Sequence, residues 1–276
     1  MRNFLLASVS LTLLAAAGAA QAQSADWTGP YVGVTAGLAD RQESGSETVG
    51  FDTNLDGTYG DTVRTASGVD AFSPGFCGGS FNTNAAPGGC RKDDDTDVEL
   101  GVRLGYDYQM GSFVVGGLVE YTQLELQDAV TAFSTTPAAY NFTRKLNNVF
   151  AVRARGGYAF GDNLIYATGG YAKGNMKHSF TTTNGVNSFT RRGGGDADGY
   201  QIGLGYERKL TPNVVLGVEW LRTDLKDDDY VVRAGNTGTT AATNPFLLVN
   251  ASGTDFLRTD DDFEVNSFRV TASYRF

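Results

Sequence analysis

The carboxyl-terminal stretch Phe263–Phe276, FEVNSFRVTASYRF, alternates between apolar and polar residues. Successive side chains of a β-strand point to opposite faces, so this stretch predicts a strand with one apolar and one polar face. A soluble sandwich buries the apolar face, whereas a transmembrane barrel turns it outward to lipid. The stretch alone is compatible with both. Its apolar face comprises Phe268, Val270, Ala272, Tyr274 and Phe276, and its polar face Ser267, Arg269, Thr271, Ser273 and Arg275.

The amino terminus predicts export. Residues 1–22 combine the basic Arg2, an apolar run over 4–17 and a small-residue cleavage site at 20–22, the pattern of a secretory signal peptide. The apolar run is shorter than the roughly 20 residues of a spanning helix, which disfavours a membrane anchor. We therefore predict that residues 23–276 form a single mature domain. No later stretch is apolar for long enough to be a spanning helix, so the sequence excludes an α-helical membrane protein.

The composition excludes some functions and favours a fold rich in short strands. A net charge of −9 argues against nucleic-acid binding, which needs a basic surface, and against docking on anionic membranes through charge. The 36 glycines and 12% aromatic residues favour many short strands and turns. Cys77 and Cys90 predict one disulfide in an exported chain, worth about 3 kcal/mol in the chain-entropy model. A metal site would need more ligands than two cysteines and one histidine supply.

Period-two alternation predicts eight strands. For the fifth strand the sequence does not decide which set of side chains forms the apolar face, because Leu164 and Tyr166 compete with Ile165, Ala167 and Tyr171. Trp27 precedes the first strand, where an aromatic residue of the membrane interface is expected. The predicted strands are 28–38, 96–109, 112–126, 146–160, 164–173, 198–209, 214–226 and 263–276.

The connections between these strands alternate strictly in length. The long ones are polar and span 39–95, 127–145, 174–197 and 227–262, and the short ones lie near 110–111, 161–163 and 210–213. Outer-membrane barrels have short periplasmic turns and long extracellular loops, whereas a soluble sandwich has no reason to sort its loops by length. Ten residues tilted near 45° span about 24 Å, close to the apolar band of such barrels. The sequence therefore predicts an all-β, eight-stranded, antiparallel, up-and-down transmembrane barrel.

The chain resembles the small eight-stranded outer-membrane barrels of Gram-negative bacteria, in particular the porin-like proteins of alphaproteobacteria. The residues that carry this resemblance are WTGPYVG at 27–33, YATGG at 166–170, GLGYE at 203–207 and the terminal Tyr274-Arg275-Phe276. In such families the outer-membrane insertion machinery reads the terminal aromatic strand, which implies the same role for Tyr274 and Phe276. The resemblance also implies outer-membrane lipid and lipopolysaccharide as surroundings.

The polar faces of the strands predict a charged barrel interior. An eight-stranded barrel is just wide enough for side chains to fill, and buried charges need partners, so a plugged interior is one interpretation. A narrow, charge-lined path for small solutes is the other. The inward charged residues are Glu99, Arg103, Asp107, Glu120, Arg153, Arg155, Glu207, Glu219, Arg269 and Arg275.

Two further features lie in the predicted loops. Acidic runs at 93–97, 227–229 and 260–262 are either solvated loop bases or ligands for divalent cations beside lipopolysaccharide. His178, the only histidine, lies next to Ser179 and is expected to be an exposed loop residue. Adjacent strand residues point to opposite faces, which disfavours a Ser–His catalytic pair, and a lone histidine is weak support for haem capture.

These features favour a protein without catalytic activity or a cofactor. The expected role is structural, in envelope integrity and surface contact. A narrow solute channel and a surface receptor or adhesin, acting through the long loops, are the alternatives.

Overall fold

The computed structural model describes residues 26–42, 47–92, 95–227 and 230–276. The predicted signal peptide, residues 1–22, lies outside this part of the chain. Most of the described residues are in strands, and two of the connections contain a short 3-10 turn, at Ala86–Gly88 and Pro245–Leu247. The strands are β1 (Gly29–Arg41), β2 (Val49–Asp52), β3 (Gly75–Gly78), β4 (Ser80–Phe81), β5 (Cys90–Arg91), β6 (Thr96–Met110), β7 (Phe113–Ser134), β8 (Ala138–Phe160), β9 (Asn163–Thr182), β10 (Ser188–Gly193), β11 (Ala197–Lys209), β12 (Val214–Lys226), β13 (Tyr230–Gly235), β14 (Thr254–Arg258) and β15 (Asp262–Arg275).

Eight of these strands close into a ring. Their order is β1-β6-β7-β8-β9-β11-β12-β15, each strand pairs antiparallel with the next, and β15 pairs with β1 to close the circle. This confirms the predicted eight-stranded up-and-down barrel. The short turns, the start of β1 and the end of β15 lie at one end of the ring, which in outer-membrane barrels faces the periplasm. Among the described residues, no helix combines the length and hydropathy needed to cross a membrane.

The outer wall of the barrel is apolar and exposed. On β6, for example, Val98, Leu100, Val102 and Leu104 are each more than half exposed. Such a continuous surface is stable in lipid and is rare on soluble monomers. In the strand whose facing was open, Ile165 points outward, and Leu164 and Tyr166 are buried inside. Exposed aromatic residues form two rings around the wall. The ring near the short turns comprises Tyr106, Tyr108, Phe113, Tyr158, Phe160, Tyr206 and Tyr274. The ring towards the long loops comprises Tyr121, Phe150, Tyr171, Tyr200 and Phe268.

The long connections are more ordered than the sequence predicts. The prediction of a polar loop over 127–145 is wrong, because β7 and β8 continue through this segment as a hairpin that turns at 135–137. Likewise β9 runs on to Thr182, inside the expected loop 174–197. These extensions rise above the upper aromatic ring. Val130, Ala132 and Phe142 are buried there, so apolar packing holds the hairpin in strand geometry outside the membrane.

A folded cap covers the extracellular end of the barrel. Its four-stranded sheet has the order β10-β13-β14-β2 and joins segments of three of the predicted long loops. A disulfide between Cys77 and Cys90, with Cα atoms 6.0 Å apart, links β3 to β5 at its side. β3 pairs with the upper part of β7, which fastens this segment to the barrel wall. We refer to these extracellular strands, with the tips of β7–β9, as the cap.

Candidate functional site: the barrel interior and the cap

The periplasmic end of the interior is filled by a charged layer. Asp107 accepts hydrogen bonds from Arg155 at 2.6 and 2.8 Å and from Arg275 at 2.8 Å. Glu207 accepts from Arg103 at 2.7 Å and from Arg155 at 3.1 Å. All five side chains are almost completely buried, so each charge is compensated by a neighbour rather than by water.

Aromatic rings complete this layer. The Tyr31 ring lies 5.0 Å from the Arg155 guanidinium and 4.9 Å from that of Arg275, within the range of cation–π attraction. Trp27 is fully buried below them, with Arg275 5.3 Å and Lys209 5.1 Å from its ring. The expectation that Trp27 lies at the membrane interface is therefore wrong. Its side chain closes the periplasmic end of the interior because the basic side chains stack on it.

A second charged layer lies towards the middle of the barrel. Arg269 contacts Glu120 at 2.7 Å, Glu219 at 2.8 Å through its Nε, and Glu99 at 3.8 Å. Arg153 contacts Glu120 at 3.0 Å and Glu219 at 3.5 Å. A cavity beside this layer, next to Glu99, has a volume of about 10 Å³. That is roughly the room of a single water molecule.

Above the charges the interior becomes apolar. Residues from every barrel strand except β6 meet across the upper opening. This apolar layer separates the charged interior from the cap. It comprises Ala39, Leu124, Leu126, Leu146, Val149, Ala151, Ala172, Met176, Ala197, Leu225, Phe263 and Val265.

A third charged cluster joins the barrel to the cap. Asp128 accepts from Arg144 Nε at 3.0 Å, pairs with Arg41 at 3.2 Å and is also bound by Arg258. Arg144 further donates to the backbone oxygens of Asp260 and Asp262, at 3.2 and 2.7 Å. The extended hairpin, the first barrel strand and the last long connection are therefore fastened together at this point.

Glu47 and His178 belong to the same junction. Glu47 pairs with Arg258, yet burial outweighs this attraction and raises the pKa of Glu47 to about 7. His178 Nε2 lies 2.8 Å from Asp227, and the histidine ring stacks on Tyr230 with centroids 5.2 Å apart. The expectation that His178 is an exposed loop residue is wrong. It sits on β9, where its side chain is only 6% exposed because Asp227 and Tyr230 enclose it.

The cap has its own aromatic core. The Phe256 ring lies within 5.4 to 6.5 Å of six other rings, which come from β2, β8, β9, β10 and the 3-10 turn at 245–247. On the opposite face of β14, Asp255 binds the guanidinium groups of Arg192 and Arg233. Burial alone would raise the pKa of Asp255, but the hydrogen bonds from Arg233 and Arg192 outweigh it and hold this pKa below its ordinary value.

The residues predicted from the sequence fall into two groups. The structure places all ten predicted interior charges inside the barrel and brings them together in the two layers described above. Tyr274 and Phe276 lie on the outer wall at the periplasmic end, with ring centroids 5.1 Å apart.

The acidic runs are only partly solvated. Asp227 is buried against His178, and Asp95 pairs with Arg41. Asp261 and Asp262 are exposed and pair with Lys226 at 3.4 and 3.1 Å. Residues 93–94 and 228–229 lie outside the described part of the chain.

The junction residues Asp128, Arg144 and Arg258 were missed by sequence reasoning. They lie in segments that were interpreted as polar loops. A signal was available, since Asp128 and Arg144 stand directly opposite each other in the hairpin that turns at 135–137. Opposite charges at such mirrored positions predict a cross-strand pair.

The chain matches one family profile and is similar to several known proteins. The family profile described as outer membrane protein beta-barrel domain matches residues 9–143 and 129–276. The 31 kDa outer-membrane immunogenic proteins of Brucella melitensis and Brucella suis are each 26% identical over 212 residues, covering 75% of this chain and 75% of theirs. Among solved structures, the outer membrane protein OprG of Pseudomonas aeruginosa aligns with 92% of this chain and 100% of its own, at 13% identity and a TM-score of 0.46.

Proposed function

We propose that this chain, which belongs to the outer membrane protein beta-barrel domain family, is a closed barrel that carries a folded cap on the cell surface. It lies in the outer membrane, with its apolar wall against lipid and lipopolysaccharide. Its role is structural and interfacial: the barrel anchors, and the cap makes contact outside the cell. In this proposal residues 1–22 direct export, residues 23–276 form the mature domain, and the insertion machinery reads Tyr274 and Phe276.

The observation that supports a closed barrel is the filling of its interior. Five carboxylates and five guanidinium groups pair in two layers, with Trp27 below them and an apolar layer above. A solute moving through would have to break buried ion pairs, each of which is costly to separate. This favours the structural role over a narrow solute channel.

The chemistry of His178 supports a role without catalysis or haem capture. A general base needs a nucleophile within reach, and an axial ligand needs a free ring nitrogen facing an open site. Here the Nε2 of the only histidine is held by Asp227 and its ring is covered by Tyr230. The lone histidine is thus engaged in fastening the cap to the barrel.

Single-channel recording tests the closed barrel. The protein is refolded, its folding is verified by heat-modifiable gel mobility, and it is inserted into a planar bilayer. We expect a flat baseline. Discrete current steps whose size changes in Arg153→Gln, but not in the matched rim variant Arg222→Gln, would overturn the proposal, because Arg153 lies in the middle layer and Arg222 does not.

A further inference from the structure

The cap contains a cavity of about 190 Å³ that the proposed structural role does not use. It lies between the tip of the β7–β8 hairpin, the segment that follows β9 and the 3-10 turn at 245–247. Residues 135–137 and 185–186 at its edge are exposed, so the cavity is reached from outside the cell. Pockets for drug-sized ligands are usually about 300–1,000 Å³, so this one has room for a single ring.

The floor of the cavity is aromatic. Phe72, Tyr140 and Phe246 line it, and each is at most 4% exposed. Their centroids are 5.3 to 5.9 Å apart, and the rings are tilted or edge-on to one another. Because each ring packs against the other two, the floor is already ordered without a ligand.

Three asparagine side chains form a wall that is also rigid. Asn184 donates to Asn187 at 3.0 Å, and Asn187 and Asn244 donate to each other's oxygens at 3.2 and 3.1 Å. Asn184 further donates to the Tyr140 hydroxyl at 2.9 Å, which ties the wall to the floor. A side-chain amide carries two N–H groups, and in the described structure Asn244 uses one of them, so the other is available to an acceptor.

The described residues that line the cavity are all uncharged. None of them is Asp, Glu, Lys or Arg, although such residues make up 19% of the chain. The Thr183 hydroxyl oxygen accepts from the Ala139 N–H at 2.9 Å, and Thr183 is one of the lining residues, so its rotatable hydroxyl hydrogen can donate to a ligand in the cavity. A charged ligand would lose its hydration here without gaining a counter-charge. A purely apolar one would cover the Asn244 and Thr183 donors without pairing them.

We propose that this cavity binds one uncharged sugar ring, such as the terminal residue of a neutral glycan. An aromatic floor suits the C–H face of a pyranose, and fixed amide and hydroxyl groups suit its ring and hydroxyl oxygens. The inference rests on the proposed surface-contact function of the cap, which it makes specific. It does not depend on whether the barrel conducts.

The test is binding of methyl glycosides of glucose, galactose and mannose to the folded full-length protein in detergent, measured by saturation-transfer NMR and calorimetry. The methyl glycoside of glucuronic acid and benzyl alcohol serve as charged and apolar probes. We expect saturable binding of at least one neutral glycoside and weak or no binding of the other two probes. Absence of saturable binding by any neutral glycoside, or preference for benzyl alcohol, would overturn the proposal.

Matched variants locate the site. Asn244→Asp places a charge in the cavity with a side chain of nearly the same size, at the loss of the hydrogen bond that Asn244 donates to Asn187, and we expect about a tenfold or greater loss of glycoside affinity. Asn236→Asp makes the same change at an exposed position outside the lining and should bind like the unmodified protein. If Asn244→Asp does not fold, Thr183→Ala removes one hydroxyl and should also weaken binding. Equal affinity in the folded cavity variants and Asn236→Asp would refute the site.

The outcome is separable from the test of the closed barrel. If the bilayer recording shows no current steps and no neutral glycoside binds, the sugar site is rejected and the closed barrel is retained. Current steps whose size changes in Arg153→Gln but not in Arg222→Gln, together with glycoside binding, would reject the closed barrel and support the site.

Discussion

At the scale of single residues, the interior charges act as cross-links between strands. Arg269 on β15 contacts Glu99 on β6, Glu120 on β7 and Glu219 on β12. One guanidinium therefore connects four strands of the ring. Because these groups are at most 4% exposed, their attraction is screened by little water.

Removing this guanidinium should destabilise the barrel strongly. Arg269→Ala leaves Glu120 and Glu219 buried with one fewer positive partner, and breaking a buried pair typically costs about 3–5 kcal/mol. Urea unfolding in a fixed detergent would measure the change in free energy of unfolding. Arg222→Ala is the control, because the Arg222–Glu264 pair is about one-third exposed and such pairs contribute roughly 0–1 kcal/mol. Equal losses in the two variants would show that burial does not set the strength of these pairs.

At the scale of elements, the cap sheet depends on one buried carboxylate. Asp255 on β14 binds Arg192 on β10 and Arg233 on β13, and its side chain is only 2% exposed. The two arginine side chains lie at the surface of the sheet and are more exposed. Their bonds to Asp255 keep its pKa below its ordinary value.

This lowered pKa gives the cap a defined response to acid. A group whose pKa is lower in the folded state contributes stability above its unfolded pKa, and that contribution is lost as the pH falls through the folded value. We therefore expect the cap to loosen below about pH 4. In Asp255→Asn the contribution is absent at every pH, so its cap should be weaker at pH 7 and should change less on acidification. Pepsin cleavage at low pH and near-ultraviolet circular dichroism would follow this, and an unchanged pH profile in Asp255→Asn would contradict it.

The elements also show what a sequence can predict. The eight spanning strands are evident because lipid on one side and packed charges on the other impose strict alternation, as in Phe263–Phe276. The hairpin extensions escape this signal because residues 129–133 are buried on both faces. Cap strands of two to six residues are too short to show a period. The interior charges follow from alternation, but which carboxylate meets which guanidinium depends on barrel closure.

At the scale of the whole molecule, polar and apolar layers alternate along the barrel axis. Two charged layers fill the spanning part, an apolar layer closes it, the Asp128 cluster joins it to the cap, and an aromatic core completes the outer end. The wall packs against lipid, whereas the cap packs against itself. Barrel and cap thus have separate sources of stability, and they are joined by the continuous strands β7–β9, by the pairing of β3 with β7 and by the charged junction at Asp128.

This separation predicts that the cap can be weakened while the barrel stays folded. Phe256→Ala removes the ring that six others surround, and such core truncations cost about 3–5 kcal/mol. We expect trypsin to cut faster after the exposed Arg64 and Arg91, while heat-modifiable mobility of the barrel is retained. Phe268→Ala, which truncates a lipid-facing ring that is 68% exposed, should leave trypsin cleavage unchanged. Phe256→Ala could instead lose both the protection of the cap from trypsin and the heat-modifiable gel mobility of the barrel. That result would mean that cap and barrel fold as one unit, and that the junction at Asp128 couples them more tightly than their separate cores imply.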